Sequence, residues 1–166
     1  MGVKLLLAVL LLAPAASLAQ NMRILAGDDS AEVKEAAQEL RELERRIKRK
    51  DIPPISFELN KAVLKPEAKA ALDFVADVML KHPDLKLMVF GHTCDLGSEE
   101  YNLWLSQKRA EAVKDYLVEI GVMGEFVRAK GFGEAKPIEP NESEETRSLN
   151  RRVEFVVVKR WWDSIY

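Results

Sequence analysis

The sequence has one cysteine, two histidines, few aromatic residues and almost no excess of charge of either sign. A lone thiol forms no disulfide within its own chain, so the fold stands without covalent staples. One thiol and two imidazoles also make a poor ligand set for zinc. No glycine-rich loop of the phosphate-cradling kind is present, and nothing else in the chain calls for a cofactor. Lysine and arginine total 25 against 27 aspartate and glutamate, a net charge of −2, so the basic surface that a nucleic-acid partner needs is missing. What remains is ample for a core. The 166 residues, 48% hydrophobic and 31% charged, suit one globular domain with some extra segments and argue against disorder throughout.

Met1 to Ala19 carries one positive charge at Lys4, an apolar run from Leu5 to Ala13, and small residues at Ser17 and Ala19. That is the pattern of a secretory signal peptide cleaved before Gln20. The run is too short for a membrane span and is followed by Pro14. No cysteine stands at the cleavage point to take a lipid, and no second span or array of barrel strands follows. The mature chain is therefore expected in the periplasm, free or held at the outer membrane by partners. Asn21 to Ser30 reads as a polar lead-in whose Asp28, Asp29 and Ser30 supply a helix cap. Val33, Ala36, Leu40, Leu43 and Ile47 then recur at offsets of three and four, an apolar seam shorter than a free-standing coiled coil needs. The helix is expected to pack on the domain or to space it, with self-association through residues 31–50 as the alternative. Arg45 to Lys50 places positive charge at the helix C-terminus, where the dipole favours it. Pro53 and Pro54 form a stiff joint. Residues 20–54 are thus an N-terminal helical extension with a proline linker.

Ile55 to Leu59 is read as a strand. Pro66 stands at the first position of a helix whose apolar face, Ala68, Leu72, Val75 and Met79, runs to a stop at His82-Pro83. Leu85 to Phe90 is a short buried strand ending at Gly91. A helix from Glu99 to Ile120 follows, then a break at Gly121 and Gly124, then a strand from Phe126 to Gly131. Glu134 to Leu149 is polar and holds at most a short helix. Arg152 to Lys159 is the last strand, with Val153, Phe155 and Val157 on one face and Val156 and Val158 on the other, which suits a central place in the sheet. Strands alternating with helices give an α/β sandwich. The aromatic tail, residues 161–166, is suited to cover an exposed edge of the core or to anchor a partner.

The stretch from Gly91 to Ala110 carries the functional signal. Ser98 is placed to cap a helix, and Glu99 and Glu100 face the positive end of its dipole. Leu103, Ala110, Val113, Leu117 and Ile120 form one core-facing stripe. Asn102, Leu105 and Arg109 share a neighbouring face, close to Cys94 and Asp95 in the preceding loop. A guanidinium and an amide so placed suit a zwitterion, the first binding a carboxylate through two parallel hydrogen bonds. For a lone arginine on a helix the competing reading is a solvated face. Cys94 and His92 also raise a thiol nucleophile with a histidine base, although no third residue is evident to orient the imidazole.

Gly91-His92-Thr93, Gly97-Ser98, Tyr101-Asn102, Leu105-Ser106 and Arg109-Ala110 are followed by Gly131-Phe132-Gly133-Glu134, Pro137-Ile138, Asn141 and the run Asn150 to Glu154. Together they resemble the OmpA-like peptidoglycan-binding domain over about Ile55 to Lys159. The resemblance implies an α/β two-layer sandwich over residues 55–160, a small mixed sheet with helices on one face, preceded here by a separate N-terminal helix. It also implies a non-catalytic partner, peptidoglycan, in a bacterium with an outer membrane. In that family an Asp directly after the Gly-His-Thr and an Arg fifteen positions later clamp the ammonium and carboxylate of diaminopimelate in the cell-wall stem peptide. The Arg falls on Arg109, Asn102 stands between, Leu105 lines the pocket, and Glu58 and Asn60 border it. The Asp position holds Cys94. A thiol with an ordinary pKa of about 8.5 is mostly neutral at pH 7, and losing one charge-assisted hydrogen bond removes about 1.5–3 kcal/mol. Recognition is then weakened, rescued by Asp95, or redirected to another cell-wall group. A fold turned to protein interaction is the alternative function. Arg151, Arg152 and Glu154 read as ion pairs near the sheet.

Overall fold

The structure, a computed structural model, describes residues 22–159. The expected signal peptide and the aromatic tail lie outside the described residues. Four strands, β1 (Met22–Ala26), β2 (Lys86–Gly91), β3 (Val127–Gly131) and β4 (Val153–Val158), form one sheet in the order β1-β4-β2-β3. β4 runs antiparallel to β2 and parallel to β1, and β3 runs parallel to β2. Side chains alternate across it as the pleat requires. Met22, Ile24, Leu87, Val89, Val127, Val153, Phe155 and Val157 join the main core, which the helices share. Met88, Val156 and Val158 form a smaller cluster with Leu25 and Phe90 on the other face. All six residues of β4 are buried, which accounts for its continuous apolar run and its inner position.

Among the described residues four helices complete the fold: α1 (Ala31–Lys48), α2 (Lys69–Lys81), α3 (Glu99–Glu119) and the short α4 (Glu144–Asn150). Ser30 caps α1, its side chain accepting from the Val33 amide. A single turn of tighter helix at Pro66–Ala68 leads into α2, where proline's fixed φ suits the start. The expected seam of α1 is buried along its whole length, from Val33 to Ile47, against β1 and α2. Of the two placements open to this helix, the structure shows packing on the domain. That packing buries the apolar seam of this helix within the chain.

Three expectations change. The polar lead-in contains β1, because Met22 and Ile24 enter the core while Arg23 stays exposed, an alternation too short to stand out among polar neighbours. Ile55 to Leu59 is a loop with one isolated bridge between Phe57 and Leu64. It follows two prolines, which donate no ladder hydrogen bonds, and it packs Ile55 inward without joining the sheet. Leu103 is 51% exposed; the early turns of α3 bury Asn102, Leu105 and Ser106 instead. The reason is the close approach of α3 to the sheet. A Cβ on Gly91 would lie 2.2 Å from the Ser106 carbonyl oxygen, and one on Gly131 would lie 2.3 Å from the Gln107 nitrogen. These two glycines are partners in adjacent strands, so only small residues face the sheet there and Leu103 is turned outward.

Candidate functional site

The loop between β2 and α3 is tied on both sides. The His92 amide donates to the Arg152 carbonyl at 3.0 Å and the Thr93 amide to the Gly133 carbonyl at 2.9 Å. Ser98 caps α3, accepting from Tyr101 N at 3.2 Å. The helix is fastened to the end of β3 by two side chains. Ser106 Oγ accepts from Gly133 N at 2.8 Å, and Gln107 Oε1 accepts from Gly131 N at 2.7 Å. The approach set by Gly91 and Gly131 and these bonds fix where Asn102, Leu105 and Arg109 stand.

Asn102 is 2% exposed, and its amide nitrogen donates to the Cys94 carbonyl at 3.2 Å and to Glu134 Oε2 at 2.6 Å. It holds the loop in place. Leu105 is buried beside it. Arg109 is half-buried; its Nε donates to the Lys61 carbonyl at 3.0 Å and its guanidinium lies 5.1 Å from the centre of the Phe57 ring. Among the described residues no carboxylate pairs with it. Burial, partly offset by Tyr101 and reinforced by neighbouring Arg151, pushes its pKa below the ordinary value, yet an arginine starts so high that it stays charged.

Cys94 is buried, and Arg151 Nη1 lies 3.5 Å from its Sγ. Asp95 pairs with Arg147 Nε on α4 at 3.0 Å. The loop therefore brings Cys94 to Arg151 and Asp95 to Arg147. Arg151 also pairs with Glu144.

Arg109, Arg151 and Arg152 line one cleft of about 230 Å³, together with Phe57, Glu58, Asn60 and His92. Glu58, its carboxylate, is engaged by Lys61 at 2.7 Å. Exposed Leu59 stands at its edge, and nearby on α3 Tyr101 packs against Trp104 with ring centres 5.9 Å apart. His92 is 3% exposed, stacks on Phe132 and has no hydrogen-bond partner at either ring nitrogen. Its nearest carboxylate oxygen, on Glu154, is 3.7 Å away, beyond hydrogen-bond reach. Burial and the Arg152 charge push its pKa down to about 4, so it is neutral at physiological pH. With no bond from His92 to Cys94, the nucleophile–base contact of a thiol enzyme is not formed.

Arg152 and Glu154 make the expected ion pair beneath the sheet, with Nε and Nη2 at 2.8 and 2.7 Å from Oε1. Arg151, read from the sequence with that pair, belongs to the cleft as well. The signal was available: counting back from Phe155 at a period of two separates Arg151 from the side that holds Arg152 and Glu154.

With this geometry in hand, the chain can be set beside known proteins. The OmpA family profile matches residues 56–151. Outer membrane porin F of Pseudomonas aeruginosa is 42% identical over 104 residues, covering 62% of this chain and 30% of that protein. A protein of Mycobacterium tuberculosis named peptidoglycan-binding protein ArfA is 42% identical over 104 residues, 63% of this chain and 32% of its own length. The chain thus spans about a third of the length of these curated relatives. Among solved structures, the peptidoglycan-associated lipoprotein of Burkholderia pseudomallei superposes with a TM-score of 0.57 at 32% identity, covering 62% of this chain and 86% of that one. The C-terminal domain of Helicobacter pylori MotB gives a TM-score of 0.59 at 27% identity, over 68% and 89%. The matched residues run from the loop of Phe57, through α3 and its arginine, to the start of β4, and by that match the chain belongs to the OmpA family.

Proposed function

We propose that this chain binds peptidoglycan without catalysis, in the periplasm, and so tethers envelope components to the cell wall. The observation that carries the reading is Arg109, a half-buried guanidinium that has a carbonyl, a ring face and no carboxylate partner among the described residues. Removing a charge from water without pairing it is costly, and a carboxylate arriving in the cleft completes the pair through two parallel bonds. The diaminopimelate carboxylate of the stem peptide is the group assigned to it. Arg151 adds a second guanidinium on the same side. Asn102, Leu105 and Cys94 act behind the surface, the first two keeping the loop and α3 in register and Cys94 lying against Arg151, and Asp95 serves the outer edge through Arg147. The names of two relatives, a peptidoglycan-binding protein and a peptidoglycan-associated lipoprotein, support the choice of ligand.

The test is co-sedimentation with purified diaminopimelate-type cell walls. The native chain pellets with the walls, and Arg109→Ala weakens binding roughly ten- to a hundredfold, the equivalent of about 1.5–3 kcal/mol for a charged hydrogen bond. Unchanged binding by a folded Arg109→Ala protein overturns the assignment. The protein-interaction reading has its own observation, an apolar groove at the other end of the domain between Leu80, Leu85, Met123 and Phe126, with Leu80 and Met123 about half exposed. It gains support only if the native chain ignores the walls.

A further inference from the structure

The two faces of the sheet are covered in different ways. On one, α1, α2 and α3 share the main core with Leu87, Val89, Phe155 and Val157. On the other, Phe132 meets Phe90 edge to face and stacks on His92, which covers the end next to the cleft. The far end of that face holds Lys86, Met88, Val156 and Val158, with Arg128 beside Met88 in β3. Among the described residues, the apolar side chains packed on this cluster are Leu25 and Phe90, both from the sheet itself. A sheet face open to water leaves its side chains partly wet. Yet Met88 is 0%, Val158 1%, Lys86 4% and Val156 8% exposed. Burial of that depth requires a second layer over the sheet, and no helix among the described residues joins the cluster to supply it.

We infer that the aromatic tail, residues 160–166, is that layer: the chain turns back after Lys159 and lays its rings over Met88, Val156 and Val158. β4 delivers the tail to this place, since Val158 is both the last residue of the strand and a member of the buried cluster. Lys159 anchors the turn, its amide donating to Asp28 Oδ2 at 2.9 Å and its Nζ to Glu32 at 2.6 Å. Seven extended residues reach roughly 23 Å, whereas crossing from β4 over β2 to β3 takes only about 10 Å. The chemistry matches as well. Trp161, Trp162, Ile165 and Tyr166 bring apolar area, while Asp163 and the ring faces suit the cations Lys86 and Arg128. Gln20 and Asn21, which precede β1, are polar and bring neither. Of the two uses open to the tail, cover and partner anchor, the buried face selects cover. The inference is independent of the peptidoglycan reading.

The test places a bimane label, whose fluorescence a neighbouring tryptophan quenches, on Arg128→Cys in the protein from Gln20 onward; Cys94 is buried and stays unlabelled. A second label, on Met123→Cys, reports the competing seat, the apolar groove by Leu80 and Phe126. Replacing both tail tryptophans, Trp161→Phe with Trp162→Phe, is expected to brighten the label at position 128 at least about twofold, because the indoles packed on this face are gone, and to leave the label at position 123 unchanged. Where labelling disturbs the fold, deletion of residues 160–166 gives a second reading: a lower urea midpoint and new binding of a dye specific for apolar surface. Unchanged emission at position 128, brightening at position 123 instead, or a deletion that leaves the midpoint where it was overturns the inference. The first outcome would free the tail for a partner, and the second would seat it in the groove.

Discussion

Arg152 and Arg109 both line the same cleft, and the protein treats them differently. Arg152 is almost fully buried and completed from within: Glu154 pairs with Nε and Nη2, the Asn150 carbonyl accepts from Nη1 at 3.3 Å, and the Lys136 carbonyl accepts from Nη2 as well at 3.1 Å. Arg109 is less buried and has one carbonyl and the face of Phe57. Burial depresses the pKa of both, and in Arg152 the Glu154 carboxylate works against that shift. The difference separates a charge that belongs to the fold from one whose partner arrives from outside. Burial alone would have ranked them the wrong way round, since the deeper arginine is the one whose charge is already paired.

Removing one partner from each site is the strongest way to break the comparison. Arg152→Ala leaves Glu154 buried without its main partner and is expected to cost about 3–5 kcal/mol of stability, read as a lower midpoint in urea at pH 7. A loss below about 1 kcal/mol there would mean that water or Arg23, 3.5 Å from Glu154, replaces it. The next effect depends on pH. His92 takes a proton near 6.5 in the unfolded chain and only near about 4 in the native one. Between those values the unfolded state binds more protons, so stability is fully present above pH 6.5 and declines as pH falls toward 4, by about 3 kcal/mol. Urea unfolding at pH 7 and pH 4.5 should show a smaller difference in His92→Gln than in the native protein. Equal differences would place the acid sensitivity elsewhere.

Arg109→Ala reverses the pattern of Arg152→Ala. Its stability should change by less than about 1 kcal/mol, because no buried carboxylate is abandoned, while wall binding falls as described above. A large loss of stability in Arg109→Ala would make it a structural residue and erase the contrast. The smallest effect is expected at Asp95→Asn, which removes a partly exposed pair with Arg147 worth about 0–1 kcal/mol. Binding should be unchanged; a tenfold loss would show that Asp95 reaches the ligand despite its position.

Long-period patterns in the sequence carried the fold well. The seam from Val33 to Ile47, the face from Ala68 to Met79 and the alternation in Val153 to Val158 each buried the residues that spacing predicts. The failures lie where a few residues answer to distant partners. β1 is only five residues long and its pairing with β4 crosses almost the whole chain, so no local signal marks it. Leu103 is apolar and correctly spaced, yet the contacts at Gly91 and Gly131 decide which face of α3 turns inward. In the site, Arg109 was legible from its offset on the helix and from the family resemblance. The directions of Cys94 and Asp95 were not, because they depend on a loop anchored to Arg152 and Gly133, both remote in sequence, as well as to Asn102. Arg151 was visible as a charge, but its place beside Cys94 needed the start of β4 to be fixed first.

The position of β4 has a mechanical consequence. The strand starts next to Arg151 and Arg152, among the residues of the cleft, and ends next to Lys159, with β1 bonded along one edge and β2 along the other. Ladder hydrogen bonds lie across the direction of a strand. A pull between a ligand seated at Arg151 and the chain leaving at Lys159 therefore runs along β4, and both rows of bonds resist it in shear at once instead of opening one after another like a zip. The line of greatest tension would coincide with the strand that is held on both sides.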